Sequence, residues 1–320
     1  MKAAVVQTYD APPSYATFDD PVAQAGEHLV TVTGAGLHRI VKAVANGSHY
    51  TSAGVLPFVP GVDGVGRLED GTRVYFGAAR SPFGSMAEYA IAPSWMLIPL
   101  PDGLDDALVA GIANPAMSSW VALSERAKFV AGESVLILGA TGTSGSLAVQ
   151  IAKMRGARRV VAVGRNARTL EKLTSLGADA VISLQQETEK LTAAFRTEID
   201  QHGVDVVLDY LWGDPAAALL EAIAKKGPGK RAPRIRYIQI GSMAGATLPL
   251  AAATLRSSGL ELLGSGFGSA SMDQIRLAVA EFFALAAKEP FHFAVRRIPL
   301  SDVEASWNLP EENERIVFHP

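Results

Sequence analysis

The stretch Ser134-Val135-Leu136-Ile137-Leu138-Gly139-Ala140-Thr141-Gly142-Thr143-Ser144-Gly145 decides the fold. It opens as a short apolar run suited to a strand buried on both faces. It then passes through a glycine-rich turn into an apolar helical pattern, which predicts a helix over Ser146–Arg155. Residues 140–145 read Ala-x-Gly-x-x-Gly. Glycine at 142 lets the backbone approach a pyrophosphate, glycine at 145 lets helix and strand pack closely, and the helix start faces the phosphates. Such a turn alone is also an ordinary tight turn. With a strand before it and a helix after it, it reads as a dinucleotide site formed by Ala140, Thr141, Gly142, Thr143, Ser144 and Gly145.

Towards the C-terminus, further strands are predicted at Arg159–Val163, Ala180–Ser183, Asp205–Asp209, Ile235–Ile240 and Leu260–Leu263, with helical patterns between the earlier ones. That alternation is the mark of an α/β chain with a Rossmann doubly wound parallel sheet. Gly156, Gly177, Gly203 and Gly227 each follow a helical pattern as a C′ residue does. Towards the N-terminus an apolar helical stretch covers Asp105–Lys128. Before it lie short alternations such as His28-Leu29-Val30-Thr31-Val32, separated by Pro and Gly clusters, as in a compact β domain. A helix from about Met272 to Lys288 stops before Pro290, and the texture of Phe291-His292-Phe293-Ala294-Val295 returns the tail to that β domain. The expected division is 1–108 completed by 271–320, and 109–270.

Composition narrows the chemistry. The chain has 320 residues, 48% of them apolar and 19% charged, enough for two buried cores. It has no cysteine, which removes disulfides, thiolate zinc sites, iron–sulfur clusters and cysteine nucleophiles. A net charge of −3 gives no overall attraction to nucleic acid. The basic run Lys225, Lys226, Lys230, Arg231, Arg234 and Arg236, interrupted by Gly227, Pro228, Gly229 and Pro233, reads as a solvated loop before it reads as a polyanion site. The N-terminus lacks a signal-like apolar region and no run of about 18 apolar residues is apparent, so neither secretion nor membrane insertion is expected and the chain reads as cytoplasmic.

An NAD site usually places a carboxylate at the end of the second strand, roughly 20 residues past the glycines. Here the sequence is Val163-Gly164-Arg165-Asn166-Ala167-Arg168. Without the acid there is no repulsion of a 2′-phosphate, and the Arg165 guanidinium offers it planar, charge-assisted hydrogen bonds. NADPH is therefore the expected cofactor, with Gly164, Arg165 and Asn166 at the site, Arg168 in support and Lys172 on the same helix face. Open sheets bind at carboxyl strand ends, which adds Gly241-Ser242-Met243 and Gly264-Ser265-Gly266-Phe267 for the nicotinamide end.

Several chemistries drop out. None of the seven tyrosines has Lys four residues on, as short-chain reductases require. There is no Gly-x-x-x-x-Gly-Lys-Ser/Thr loop, no Gly-x-Ser-x-Gly elbow, and no His-x-x-x-His or His-Glu-x-x-His spacing among the six histidines. No metal site is expected.

Three segments carry a resemblance. Pro60-Gly61-Val62-Asp63-Gly64-Val65-Gly66, Gly84-Ser85-Met86-Ala87-Glu88-Tyr89-Ala90 and Gly139–Lys153, in that order, resemble the medium-chain dehydrogenase/reductase superfamily and specifically its zinc-free quinone oxidoreductase branch. The resemblance implies a GroES-like β-rich catalytic domain beside the Rossmann domain, and a homodimer formed through edge strands. It also implies hydride transfer from NADPH to a quinone or to the β-carbon of an α,β-unsaturated carbonyl compound. Zinc-dependent members carry Gly-His-Glu where this chain has Gly61-Val62-Asp63, and a cysteine near Leu37. The branch usually has Gly-Val/Ile-Asn and then Asp, where this chain has Gly36-Leu37-His38 and Val41. His38 thus becomes a candidate substrate contact, with domain packing as the alternative. Tyr50 falls where the branch has a cleft-facing tyrosine, and Ser118 where it has a threonine near the cofactor. Phe58, Trp95 and Phe267 imply a small apolar substrate. Two other readings stay open: an enoyl thioester or other specialised reductase on the same scaffold, and a non-catalytic NADPH-binding or RNA-associated protein.

Overall fold

A computed structural model describes residues 1–320 apart from 50, 51, 53, 54, 225–231, 267 and 311–313. By internal contacts it divides into two units, Met1–Pro115 with Val279–Pro320, and Ala116–Ala278. The chain passes from one to the other within two helices.

In chain order the first unit contains β1 (Lys2–Val5), β2 (Ser14–Thr17), β3 (Glu27–Gly36), α1 (Arg39–Ala45), β4 (Asp63–Arg67), β5 (Arg73–Gly77), β6 (Tyr89–Pro93) and β7 (Leu97–Pro99). The helix α2 (Asp106–Val121) then runs through Pro115 and ends in a π-helical turn, Ala122–Arg126. The second unit carries β8 (Ser134–Leu138), α3 (Thr143–Met154), β9 (Arg159–Gly164), α4 (Ala167–Ser175), β10 (Ala180–Ser183), α5 (Thr188–His202) and β11 (Val206–Asp209). It continues with α6 (Gly213–Ile223), β12 (Arg234–Gln239), α7 (Ala252–Arg256) and β13 (Gly259–Gly264). After α8 (Met272–Ala286), β14 (Ala294–Pro299), α9 (Val303–Ser306) and β15 (Glu314–His319) complete the first unit.

The second unit is one parallel sheet in the order β10-β9-β8-β11-β12-β13. The order reverses between β8 and β11, the switch point at which open α/β sheets bind ligands beyond the carboxyl ends of their strands. Every residue of β8 is buried, as its unbroken apolar run requires of a central parallel strand. Leu136, Leu138, Val161, Val163 and Val207 pack with Phe195 and Leu219 in a core under α5 and α6. Gly156, Gly177 and Gly203 follow α3, α4 and α5 with φ of +84°, +110° and +74°, the left-handed region that glycine enters without strain. Gly227 lies outside the described residues.

The first unit is built on a mixed sheet, β14-β15-β3-β4-β5-β7, with β6 also paired to β3. Its core gathers Val5, Ala35, Leu37, Val41, Met86, Trp307 and Phe318, so the C-terminal strand shares one core with the N-terminal one. Phe58 packs against this core and pairs across a bridge with Val6, whereas Trp95 is exposed.

One sequence expectation needs correction. The helix after the glycine turn starts at Thr143 rather than Ser146, because Gly142 is its N-cap residue and Gly145 already lies in its first turn. The helix Asp106–Arg126 is long and apolar enough to cross a membrane by composition, with a mean hydropathy of 1.3, although no continuous apolar run announces it. Of that window 72% is buried within the protein, as in a core helix.

Candidate cofactor site and a buried polar chain

Because the six strands of the second unit are parallel, all their carboxyl ends share one edge of the sheet. The cofactor residues expected from sequence that are described fall on that edge. β8 ends at Leu138 and turns through Gly139, whose φ is +89°. Gly142 caps α3 in extended conformation, with no side chain hydrogen-bonded to the cap. The first N–H groups of a helix have no partner within it, so this end is a set of donors carrying the positive end of the helix dipole. A Cβ on Gly142 would meet only Gly139 O, at 3.5 Å, which leaves the approach to the turn open. A Cβ on Gly164, by contrast, would fall 2.4 Å from Thr141 Cγ2, so glycine at the end of β9 is what lets Thr141 lie across it.

Arg165 follows β9 directly and is exposed, as is Arg168 in the first turn of α4. Asn166 is the N-cap of α4, and its Oδ1 accepts from Thr169 N at 3.0 Å, so that oxygen is committed to the helix. No carboxylate follows β9 in this turn.

The loops after β11 and β12 are tied together. Gly241 N donates to Asp209 O at 3.0 Å, Met243 N to Tyr210 O at 3.3 Å, and Ala244 N to Leu211 O at 2.7 Å. Beyond β13, Ser265 N donates to Gln239 O at 2.8 Å, and Gly266 N to Ser269 Oγ at 2.8 Å. Ser118 Oγ lies 3.2 Å from Tyr210 Oη, which brings it to the end of β11. Burial, against hydrogen bonds from Ser118 and Ser119, pushes the Tyr210 phenol up to about 12, so it stays a neutral hydroxyl. Tyr50 and Phe267 lie outside the described residues.

Sequence reading did not single out Asp209. It is fully buried. Its Oδ1 accepts from Leu211 N at 2.7 Å and Trp212 N at 2.9 Å, and its Oδ2 from Tyr237 Oη at 2.7 Å. It therefore fixes the turn in which Trp212 and Gly213 hold φ of +55° and +59°. The available signal was a carboxylate closing the apolar run Val206-Val207-Leu208.

In the first unit His38 and Asp63 are brought together, Nε2 to Oδ1 at 3.4 Å, both buried. Gly61, at φ +115°, and Ser85, whose Oγ donates to Asp63 O at 2.6 Å, set the start of β4.

Comparison with known proteins agrees with this architecture. Residues 145–283 match the family described as Zinc-binding dehydrogenase. The chain is 28% identical to the probable NADPH-dependent quinone reductase tdiC of Emericella nidulans, over 364 aligned positions and 100% of both chains. It is 29% identical over 237 positions to the mycocerosic acid synthase-like polyketide synthase of Mycobacterium tuberculosis, covering 71% of this chain but only 10% of that protein. The quinone oxidoreductase of Thermus thermophilus, also solved as its complex with NADPH, superposes with a TM-score of 0.79 at 26% identity over 100% of both chains. The chain is similar to zinc-binding dehydrogenases and quinone oxidoreductases of the medium-chain dehydrogenase/reductase superfamily.

The description of the matched family names zinc. A zinc site draws its ligands from Cys, His, Asp and Glu, three of them at a catalytic centre. This chain has no cysteine, and among the described residues no three such groups converge. His38 and Asp63 alone do not make the donor set, so these residues do not fit a zinc ion.

Proposed function

We propose that the chain is a zinc-independent, NADPH-dependent reductase of quinones or α,β-unsaturated carbonyl compounds, acting by hydride transfer. The observation that carries this reading is the uncapped start of α3 beside an exposed arginine at the end of β9, with no carboxylate in that turn. The first unit, expected from sequence as 1–108 with 271–320, is the GroES-like substrate domain, and the second, expected as 109–270, is the NADPH-binding domain.

When bound, NADPH supplies a hydride from its nicotinamide. The N–H groups of Thr143, Ser144 and Gly145 hold the pyrophosphate, with Ala140, Thr141 and Gly142 forming the turn beneath it. Arg165 pairs with the 2′-phosphate, Gly164 and Asn166 shape the turn that presents it, and Arg168 adds charge. Gly241, Ser242, Met243, Gly266 and Phe267 line the nicotinamide end, and Ser118 donates a hydroxyl near the cofactor phosphates. His38 gives the proton that the reduced carbonyl needs, and Tyr50 positions the substrate. The partner is a small apolar carbonyl or quinone, the chain is a cytoplasmic homodimer, and it engages neither membrane nor nucleic acid.

Likeness to the polyketide synthase favours an enoyl thioester as a second class of acceptor, since the same hydride chemistry serves it. Comparing an enone with an enoyl thioester as acceptor separates the two.

Arg165→Ala tests the cofactor assignment. It is expected to weaken NADPH by ~1.5–3 kcal/mol, roughly tenfold to a hundredfold, and to leave NADH nearly unchanged, as read by fluorescence titration. Retention of the wild-type preference for NADPH would overturn the assignment.

A further inference from the structure

The loop that follows β13, residues 264–271, has little of its own to hold it in place. Apart from Phe267 it consists of Gly, Ser and Ala, and its described residues are exposed or half-buried. Side chains this small bury too little apolar surface to anchor a loop, so its position has to come from hydrogen bonds. Within it, Ser269 Oγ accepts from Gly266 N at 2.8 Å and donates to Gly266 O at 2.7 Å. Ser271 and Gln274 then cap the start of α8 reciprocally. Ser271 N donates to Gln274 Oε1 at 2.8 Å, and Gln274 N to Ser271 Oγ at 3.2 Å.

The hold from outside the loop comes from the π-helical turn Ala122–Arg126 of the same unit. Ala127 N donates to Ala122 O at 2.8 Å, and the extra residue in this wider turn rotates the side chains that follow by about 100° relative to an unbroken α-helix. Ala122 and Leu123 stay buried, while Glu125 and Arg126 meet the loop and the cap after it. Arg126 Nε donates to Gly264 O at 2.8 Å and its Nη1 to Ser269 O at 3.1 Å, so one planar guanidinium ties the beginning of the loop to its later part. Glu125 Oε2 accepts from Gln274 Nε2 at 2.7 Å and from Lys128 Nζ at 3.0 Å. The turn is fixed from the interior in its own right. Buried Arg236 donates through Nη1 to Ala127 O at 2.6 Å and through Nη2 to Glu133 Oε1 at 2.5 Å.

A Rossmann sheet is two mononucleotide-binding halves that meet at the switch point. Here β8, β9 and β10 make the half with the glycine turn and Arg165, which leaves β11, β12 and β13 for the other nucleotide. The loops after these three strands are joined into one ledge. Gly241 N donates to Asp209 O at 3.0 Å, Gln239 Nε2 to Gly241 O at 3.0 Å, and Ser265 N to Gln239 O at 2.8 Å. Arg126 ties the outer end of that ledge.

We propose that Arg126 is a positioning residue for the cofactor: by holding the carbonyls of Gly264 and Ser269 it fixes the loop that receives the nicotinamide half of NADPH. The proposal rests on the NADPH-dependent reading given above. Arg126 acts through the loop and makes no contact with the cofactor of its own.

The test is calorimetric titration of the full chain with NADPH and with adenosine 2′,5′-bisphosphate, which carries the 2′-phosphate but has no nicotinamide half. Arg126→Ala should raise the Kd for NADPH roughly tenfold and leave that for the bisphosphate within about twofold of wild type. Arg126→Lys replaces the fork by a single ammonium group, and is expected to raise the NADPH Kd about threefold. It is read in place of Arg126→Ala should that variant fail to fold. Hydrogen exchange at the Gly266 and Ser271 amides should speed up in either variant, with exchange in β8 unchanged. Wild-type NADPH affinity in the folded variants, equal losses for NADPH and the bisphosphate, or loop amides that exchange no faster would each overturn the proposal. A wild-type chain that binds neither molecule would refute the NADPH reading and the positioning role built on it, while hydrogen exchange still decides whether Arg126 holds the loop.

Discussion

Gly145→Ala is expected to destabilise the protein by about 3 kcal/mol, to lower Tm by roughly 6–12 °C, and to weaken NADPH binding. A Cβ there would lie 2.2 Å from Gly139 O, 2.6 Å from Ala140 Cα and 2.8 Å from Gly139 C. All three are backbone atoms of a turn held by the positive φ of Gly139, so no side chain can move aside. Relief requires α3 to lift from β8, loosening Leu147, Ala148, Ile151 and Ala152, which that helix buries. The same shift carries the N–H groups of the first turn away from the place proposed for the phosphates. Gly142→Ala is the control, since its Cβ meets nothing nearer than 3.5 Å and its φ of −86° suits any residue. It should cost under about 1 kcal/mol in stability. Thermal unfolding decides: equal Tm values for the two variants would contradict the account of the turn.

Asp209→Ala is expected to cost about 3–5 kcal/mol, because it strips the acceptor from one buried and two partly buried donors at once. Leu211 N and Trp212 N lose the oxygen that holds their turn, and Tyr237 Oη loses its carboxylate acceptor in a buried setting. The loops after β11 and β12 share backbone hydrogen bonds, so the loops proposed to hold the nicotinamide should loosen with the turn. Asp209→Asn keeps a carbonyl for the two amides and should cost far less. It also exposes a pH effect. Burial raises the Asp209 carboxyl above its ordinary range, against the lowering pull of hydrogen bonds from Trp212 N, Tyr237 Oη and Leu211 N. The folded protein therefore keeps this proton over a pH window in which the unfolded chain has released it. The stability it contributes is full below the ordinary carboxylate range and is lost as pH rises through the raised value. The Tm advantage of wild type over Asp209→Asn should accordingly shrink as pH rises from acid towards neutral, and a growing advantage would contradict the assignment.

Local signals made the second unit legible. β8 is where the apolar run put it, and Gly156, Gly177 and Gly203 close their helices as glycines in the left-handed region. The strands β9–β13 agree with prediction to within a residue at each end. The start of α3 was missed because Thr143 and Ser144 are polar, and periodicity cannot see a helix until its apolar face begins. The first unit hides its pairing. β3 joins β4, β6 and β15, contacts fixed by register rather than by composition. For the same reason no spacing announces that Tyr75 meets Asp63, twelve residues away across a hairpin, or that Asp63 in turn meets His38. Phe58, read from sequence as one sign of an apolar ligand, packs partly buried against the core of its own unit.

The most direct measurement is steady-state oxidation of NADPH and of NADH by the purified, metal-chelated protein, with a small quinone and with an α,β-unsaturated ketone as acceptors. Fast NADPH oxidation that survives chelation, with NADH far slower, is the predicted result. Tight NADPH binding without turnover of either acceptor, or turnover abolished by chelation and restored by zinc, would contradict a zinc-independent, NADPH-dependent reductase of these acceptors.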